Sequence, residues 1–319
     1  MDKLPGSIED LIEKRNKLRQ EGKYNEADAV RNEIESQGYR VVDSKDGSTS
    51  VEKVGKYRKP RKSFIVLFGS GEIAASGTRV HDYVFGKMEK DEISIALIAT
   101  PAGFEPNVQT VYEEIAEHFQ KHLKNYHPKV KIIYANTREE ANNPGIGSHL
   151  ENVDYIFTGP GSPTYVAKHL QDTVLYRAIL QRVREGATLS LASAATAAFS
   201  RHCLPVYEIY KVGEALHWQE GLDLFQDVLE PMTIIPHFNN TEGGKKNDTS
   251  RCYMGKERFE KLVKLLPQNE KIIGIDEHTA VIFDLQTKEY IVRGKGTIHH
   301  MMSPGFPRST KAEGIVCKK

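Results

Sequence analysis

A chain of 319 residues is long enough for one large domain and a small appendage, and its net charge of +1 gives no global bias toward nucleic acid or anionic lipid, so any such partner must be read by a local patch. No run approaches the roughly 18 apolar residues that span a bilayer, and the first residues carry neither a signal-peptide core nor a transit composition; a cytoplasmic location without a membrane partner is expected. Three cysteines, Cys203, Cys252 and Cys317, match no zinc or redox spacing and read as free thiols in a reducing compartment.

Residues 7–37 predict a short helix pair. Ser7 and Asp10 form a capping-box pattern before Ile8, Leu11, Ile12, Arg15 and Leu18, which recur at helical spacing. A break at residues 20–23 is followed by Asn25, a second helix with Ala29, Val30 and Ile34 on one side, and Gly38 where a left-handed C-terminal residue is wanted. Tyr39, Val41 and Val42 then lead through Asp46-Gly47 to Val51, a small strand pair around a tight turn. The arginine-bearing helix, the K-Y-x-x-A-D-x-x-R-x-x-I step, the G-Y-x-V-x-D exit and the D-G turn resemble the C-terminal tail of cysteinyl-tRNA synthetases. The resemblance implies a module that lies near the tRNA-binding end of a synthetase, and so a possible tRNA partner through residues 1–62. Neither the synthetase's catalytic domain nor its zinc site accompanies it.

From 53 to 62 six of ten residues are basic, which reads as a solvated linker, with an RNA-phosphate patch as the alternative. The expected organisation is a module over 1–52, a linker over 53–62, an α/β domain over 63–300 and a loose tail over 301–319. In the α/β domain, apolar strands at 64–68, 93–99, 129–135, 155–158, 188–192, 232–236, 272–275 and 281–284 alternate with amphipathic stretches such as 108–123 and 173–185. That rhythm predicts a three-layer α/β fold with a mostly parallel sheet, extended by antiparallel later strands.

Open α/β sheets place their sites outside the carboxyl ends of the strands, so a site is expected in the loops that follow them. The glycine-rich turn at 68–77 lacks both the full dinucleotide spacing and a phosphate-binding lysine, and reads as a close backbone approach. Gly159 and Gly161, in F-T-G-P-G-S-P-T, allow a turn that aims backbone amides into a cleft, as an oxyanion hole requires; a plain strand-to-helix turn is the alternative. Ser193 in T-L-S-L-A-S-A-A-T stands between a buried strand and a helix, the layout of a nucleophile elbow, where the amide of Ala194 would point at the same spot. His237 in I-I-P-H-F-N-N ends an apolar strand and can take a proton from a serine if a carboxylate fixes its tautomer; a structural histidine is the alternative. No metal-ligand spacing occurs, and no cofactor is indicated. Asp276, Glu277 and His278 form a polar cluster that reads as a cleft edge or structural turn.

Together, G-P-G-S-P-T, A-S-A-A and P-H-F-N-N, with K-E-R-F-E-K-L and G-I-D-E-H-T-A further on, resemble the serine peptidases of the dipeptidase E and cyanophycinase family over roughly residues 63–285. The resemblance implies a class I glutamine amidotransferase-like fold and hydrolysis of small peptide or aspartyl-type amide bonds. It implies Ser193 as nucleophile, His237 as general base, and Glu208, fifteen residues after the serine, as the acid, with Glu214 and Asp223 as competitors. Gly159, Gly161, Ser162 and Ala194 would form the oxyanion hole, and Asn239 and Arg258 would bind substrate. A glutaminase of this fold would need a cysteine at the elbow. The family has glycine two residues before and after the serine, where this chain has Leu191 and Ala195, so either a relaxed turn or a retreated neighbouring loop is expected. A catalytically silent protein is the alternative.

Overall fold

A computed structural model describes residues 6–43, 49–53, 62–303, 308–311 and 316–317. The Asp46-Gly47 turn, most of the basic linker, and Pro304, Gly305 and Pro307 of the tail lie outside the described residues. The chain divides into two compact units, Met1–Arg61 and Lys62–Lys319.

In the first unit, helices α1 (Gly6–Gln20) and α2 (Tyr24–Ser36) precede the antiparallel strands β1 (Tyr39–Asp43) and β2 (Thr49–Lys53). Ile8, Val30, Ile34, Tyr39 and Val41 form its core. Gly38 has φ 91°, the left-handed value that ends α2. Ala27, rather than Ala29, is the alanine turned inward.

In the second unit, strands β3 (Phe64–Phe68), β4 (Ser94–Ile98), β5 (Lys129–Ile133), β6 (Tyr155–Thr158) and β7 (Thr188–Ala192) alternate with helices α3 (Ala75–Met88), α4 (Val108–His122), α5 (Arg138–Ala141), α6 (Pro163–Leu170) and α7 (Val174–Arg184). Then come α8 (Ala194–Ala198), β8 (His202–Cys203), β9 (Gln219–Glu220), α9 (Leu224–Val228), β10 (Thr233–Ile235), α10 (Gly255–Leu265) and β11 (Lys271–Ile275). Four further strands close the unit after β12 (Thr279–Asp284): β13 (Tyr290–Gly294), β14 (Thr297–Met302), β15 (Arg308–Lys311) and β16 (Val316–Cys317).

The central sheet has eight strands in the order β16-β13-β12-β3-β7-β6-β4-β5. The run from β3 to β5 is parallel, and β12, β13 and β16 extend it antiparallel. Alternation sorts side chains to its two faces. Ile65, Leu67, Leu189 and Leu191 join α6, α7 and α8 on one face; Phe64, Val66, Phe68 and Phe157 join α3 and α4 on the other. The result is a three-layer α/β fold with a mostly parallel central sheet. The later strands depart from the expected single sheet, because β10 and β11 pair parallel with each other and continue through β14 and β15 in a separate four-stranded sheet. Instead of a loose tail, the C-terminal stretch contributes β15 and β16. Each adds to an edge strand, whose unpaired backbone groups template a partner whatever its hydrophobic pattern.

Candidate active site

Strands β6, β7 and β3 are neighbours at the centre of the sheet, so the turns after their carboxyl ends converge. Ser193 follows β7 with φ 50° and ψ −112°, a conformation that costs a non-glycine residue roughly 1–3 kcal/mol and persists only when its surroundings impose it. Here the Ser193 amide donates to the Phe68 carbonyl at 3.3 Å, Thr196 Oγ1 donates to the same oxygen at 2.9 Å, and the Ala195 amide donates to the Gly159 carbonyl at 3.3 Å. The elbow is thereby fastened to both flanking strands. Leu191 does not relax it: its side chain is fully buried on the α6–α8 face and clustered with Ala195, Ala198 and Phe199.

His237 follows β10 with φ 49°, and its amide donates to the Gly69 carbonyl at 3.2 Å. Its Nε2 lies 2.8 Å from Ser193 Oγ, and its Nδ1 lies 2.9 Å from Glu277 Oε1. An ionised carboxylate only accepts, so Nδ1 carries the proton and Nε2 is left to accept from the serine hydroxyl. The hydrogen bond from His237 holds the Glu277 carboxyl below the ordinary carboxylate range; burial opposes it, and a second hydrogen bond from Asn240 Nδ2 to Oε1 at 2.9 Å reinforces it.

The acid beside His237 is thus Glu277, which corrects the expectation placed on Glu208. Glu208 sits in a π-helical turn, Glu208–Val212, where its Oε1 accepts from Thr164 Oγ1 at 2.6 Å. Glu214 is paired instead with His217 at 3.8 Å, and Asp223 stands at the N-cap position of α9 with φ 43° and no capping side-chain bond. Glu277 follows β11, the parallel partner of β10, so adjacent strand ends set histidine and carboxylate side by side. Applying the strand-end rule to β11 as well as β10 finds it. Chain order becomes Ser, His, Glu.

The remaining expected residues divide. Ser162 is not an oxyanion donor, because its amide is committed to the Pro101 carbonyl at 3.0 Å while its hydroxyl accepts from the Tyr165 amide as the cap of α6. That close approach explains Gly161: with φ 144°, a Cβ there would lie 1.9 Å from the same carbonyl oxygen. The amides of Gly161 and Ala194 have no hydrogen-bond partner among the described residues; Gly159 contributes its carbonyl to the elbow. Asn239 is exposed and its Oδ1 accepts from the Glu277 amide at 2.8 Å, so it orients the acid. Arg258 is taken up by the carbonyls of Met254 and Tyr253, at 2.7 and 2.9 Å, and brackets a turn rather than facing a cleft. In that turn Arg251, Cys252 and Tyr253 all have positive φ, and the Cys252 amide donates to the His237 carbonyl at 3.1 Å. Glu72 was also missed. It is buried in the turn after β3 within electrostatic reach of His237, and burial pushes its carboxyl up. Asp276 pairs with His299 Nε2 at 3.0 Å, while Cys203 and Cys252 are buried and free. Among the described residues no helix is long and apolar enough to cross a membrane.

Such an arrangement can abstract a proton from a serine hydroxyl and return it to a leaving group. A family model for peptidase family S51 matches residues 65–291. The crystal structure of a peptidase from an acI-B1 actinobacterium superposes with a TM-score of 0.64 at 22% identity, over 82% of this chain and 99% of that one. A second crystal structure, assigned as a candidate peptidase E of Listeria monocytogenes EGD-e, superposes with a TM-score of 0.48 at 19% identity, over 73% of this chain and 98% of that one. The comparison with curated proteins gives no match.

Proposed function

This chain belongs to peptidase family S51, and on that premise we propose that it hydrolyses small peptide or aspartyl-type amide bonds through a Ser193-His237-Glu277 triad. Ser193 Oγ attacks the scissile carbonyl as His237 Nε2 takes its proton. The same nitrogen then delivers that proton to the leaving amine, and water completes the cycle by the reverse sequence. Glu277 holds the Nδ1 tautomer and stabilises the imidazolium, while the amides of Gly161 and Ala194 receive the charge that develops on the carbonyl oxygen.

The observation that carries this reading is the unbroken pair of links, 2.8 Å from Ser193 to His237 and 2.9 Å from His237 to Glu277, at a serine held with positive φ. Both lie within the roughly 2.6–3.2 Å that proton transfer needs. The test is hydrolysis of a panel of aspartyl dipeptides, β-aspartyl-arginine and a p-nitrophenyl ester by the wild type and two variants. Ser193→Ala should lose at least ~10³-fold in kcat. Glu277→Gln, which keeps the shape but removes the charge that stabilises the imidazolium, should lose about 10²–10⁴-fold. A wild type inert across the panel, or a Ser193→Ala variant with unchanged rates, sinks the reading.

A further inference from the structure

His237 and Glu277 stand on different loops, after β10 and β11, and a glutamate has several side-chain torsions that must all be held to keep a contact of 2.9 Å. The loop that carries the histidine supplies the hold. The Asn240 amide donates to the His237 carbonyl at 3.1 Å, while Asn240 Nδ2 donates to Glu277 Oε1 at 2.9 Å. One residue thus grips the base by its backbone and the acid by its side chain.

The orientation of the Asn240 side chain follows from its other end. A backbone N–H only donates, and that of Glu242 meets Asn240 Oδ1 at 3.2 Å, so Nδ2 is the end turned to Glu277. Glu277 Oε1 therefore receives two donors, His237 Nδ1 and Asn240 Nδ2, which favours the carboxylate over the acid and leaves the imidazole proton on nitrogen. Asn240 itself is 1% exposed, too enclosed to touch a substrate. Its neighbour Asn239 holds the backbone of the same glutamate, accepting from the Glu277 amide at 2.8 Å. Glu242 closes the circuit: its Oε2 accepts from Tyr253 Oη at 3.0 Å, and the Tyr253 ring lies 6.1 Å from the His237 ring, centroid to centroid.

We propose that Asn240 is a positioning residue of the triad, which sets the separation of His237 and Glu277, confines their shared proton to the histidine, and acts on the reaction only through the acid. The proposal rests on reading Ser193, His237 and Glu277 as the catalytic machinery. Its test therefore has one arm that needs turnover and one that does not.

Asn240→Asp keeps the shape and the acceptor for the Glu242 amide but replaces the donor to Glu277 with a second carboxyl oxygen. At the plateau of its pH profile the full chain carrying it should lose about 10–100-fold in kcat, with KM within ~2-fold of the wild type. A residue that acts through Glu277 matters little once that acid is gone. In the Glu277→Gln background the glutamine amide can donate to the new carboxylate and still present its oxygen to His237, so the same change should cost no more than ~3-fold. Asn240→Ala, which adds no charge, repeats both measurements should Asn240→Asp fail to fold. An unchanged kcat, or equal losses in the two backgrounds, overturns the proposal. The second arm follows the imidazole N–H resonance of His237 in the full chain with isotopically labelled histidine, identified by its absence from His237→Gln. That proton should exchange with water at least ~10-fold faster in Asn240→Asp than in the wild type, and an exchange rate untouched by either variant overturns the proposal as well. If no substrate is turned over while the exchange difference is seen, the peptidase reading has failed and the clamp on Glu277 stands.

Discussion

Leu191 is the residue at which the elbow departs from its family pattern, and its side chain leaves on the face of β7 opposite the aromatic layer of α3 and α4. There it is fully buried and clusters with Ala195 and Ala198 of the helix that follows the serine and with Phe199, which caps that helix. Both nonglycine positions are accommodated in the apolar layer that packs on this face of the sheet. Leu191→Ala should therefore cost about 2–5 kcal/mol of stability, as buried leucine truncations do, with kcat nearly unchanged. Urea unfolding and steady-state kinetics on one preparation check this, and a large fall in kcat without a loss of stability would contradict it. Ser193 and His237 were legible because each terminates an apolar strand in a fold that puts chemistry at strand ends. Glu277 was not, because counting fifteen residues on from the serine replaces a distance in space with a distance along the chain. The chain between Ser193 and Glu208 turns away through β8 into a π-helical turn, and the carboxylate that reaches His237 arrives much later, on the neighbour of its own strand.

At the scale of elements, the site depends on how closely two sheets approach. Gly69 follows β3 at that junction: its amide donates to the Thr279 carbonyl at 2.9 Å and its carbonyl accepts from His237. A Cβ there would lie 2.2 Å from the Asp276 carbonyl oxygen and 2.6 Å from that of Ile275. Since both obstacles are backbone, Gly69→Ala must push the end of β11 away from β3, and Glu277 with it. Overpacking of this kind costs about 1–3 kcal/mol, and a displacement near 1 Å at a catalytic group costs on the order of 10²-fold in rate. The variant should lose kcat out of proportion to stability, which thermal melts and kinetics together measure; an intact kcat would show that the junction does not set the triad. The alternation of strands and helices was readable from hydrophobic pattern alone. The division into two sheets was not, because β10 and β11 are apolar enough to belong to either and only their pairing decides. Helix α3 also escaped, because its first turn carries Ser76 and Gly77, weak helix formers, where Gly77 passes close to the backbone of Glu72.

Across the whole molecule, the turn carrying Gly69 and Glu72 is tied into the core by one buried histidine. His81 on α3 is fully buried among Phe68, Phe85, Phe119 and Phe157; its Nε2 lies 3.1 Å from the Glu72 carbonyl oxygen and its Nδ1 2.7 Å from Tyr155 Oη. A carbonyl can only accept, so Nε2 holds the proton, and Nδ1 accepts from the tyrosine hydroxyl as a neutral ring. Burial, with a smaller contribution from His118, pushes the His81 pKa down from 6.5 to about 3. The unfolded chain therefore binds a proton that the folded chain refuses, and the stability held above pH 6.5 falls as pH drops from there toward 3. One such proton contributes a slope of at most ~1.4 kcal/mol per pH unit. His81→Gln offers a donor and an acceptor without a titration, so it should be less stable than the wild type at neutral pH through poorer packing, with the gap narrowing steadily on acidification. Urea unfolding of both proteins between pH 7 and pH 4 isolates this difference, because the carboxylates and the other histidines titrate in each. Curves that run parallel would mean that His81 takes up its proton without unfolding. Converging curves would mean that the uptake of a proton by His81 on unfolding helps set the acid limit of the fold.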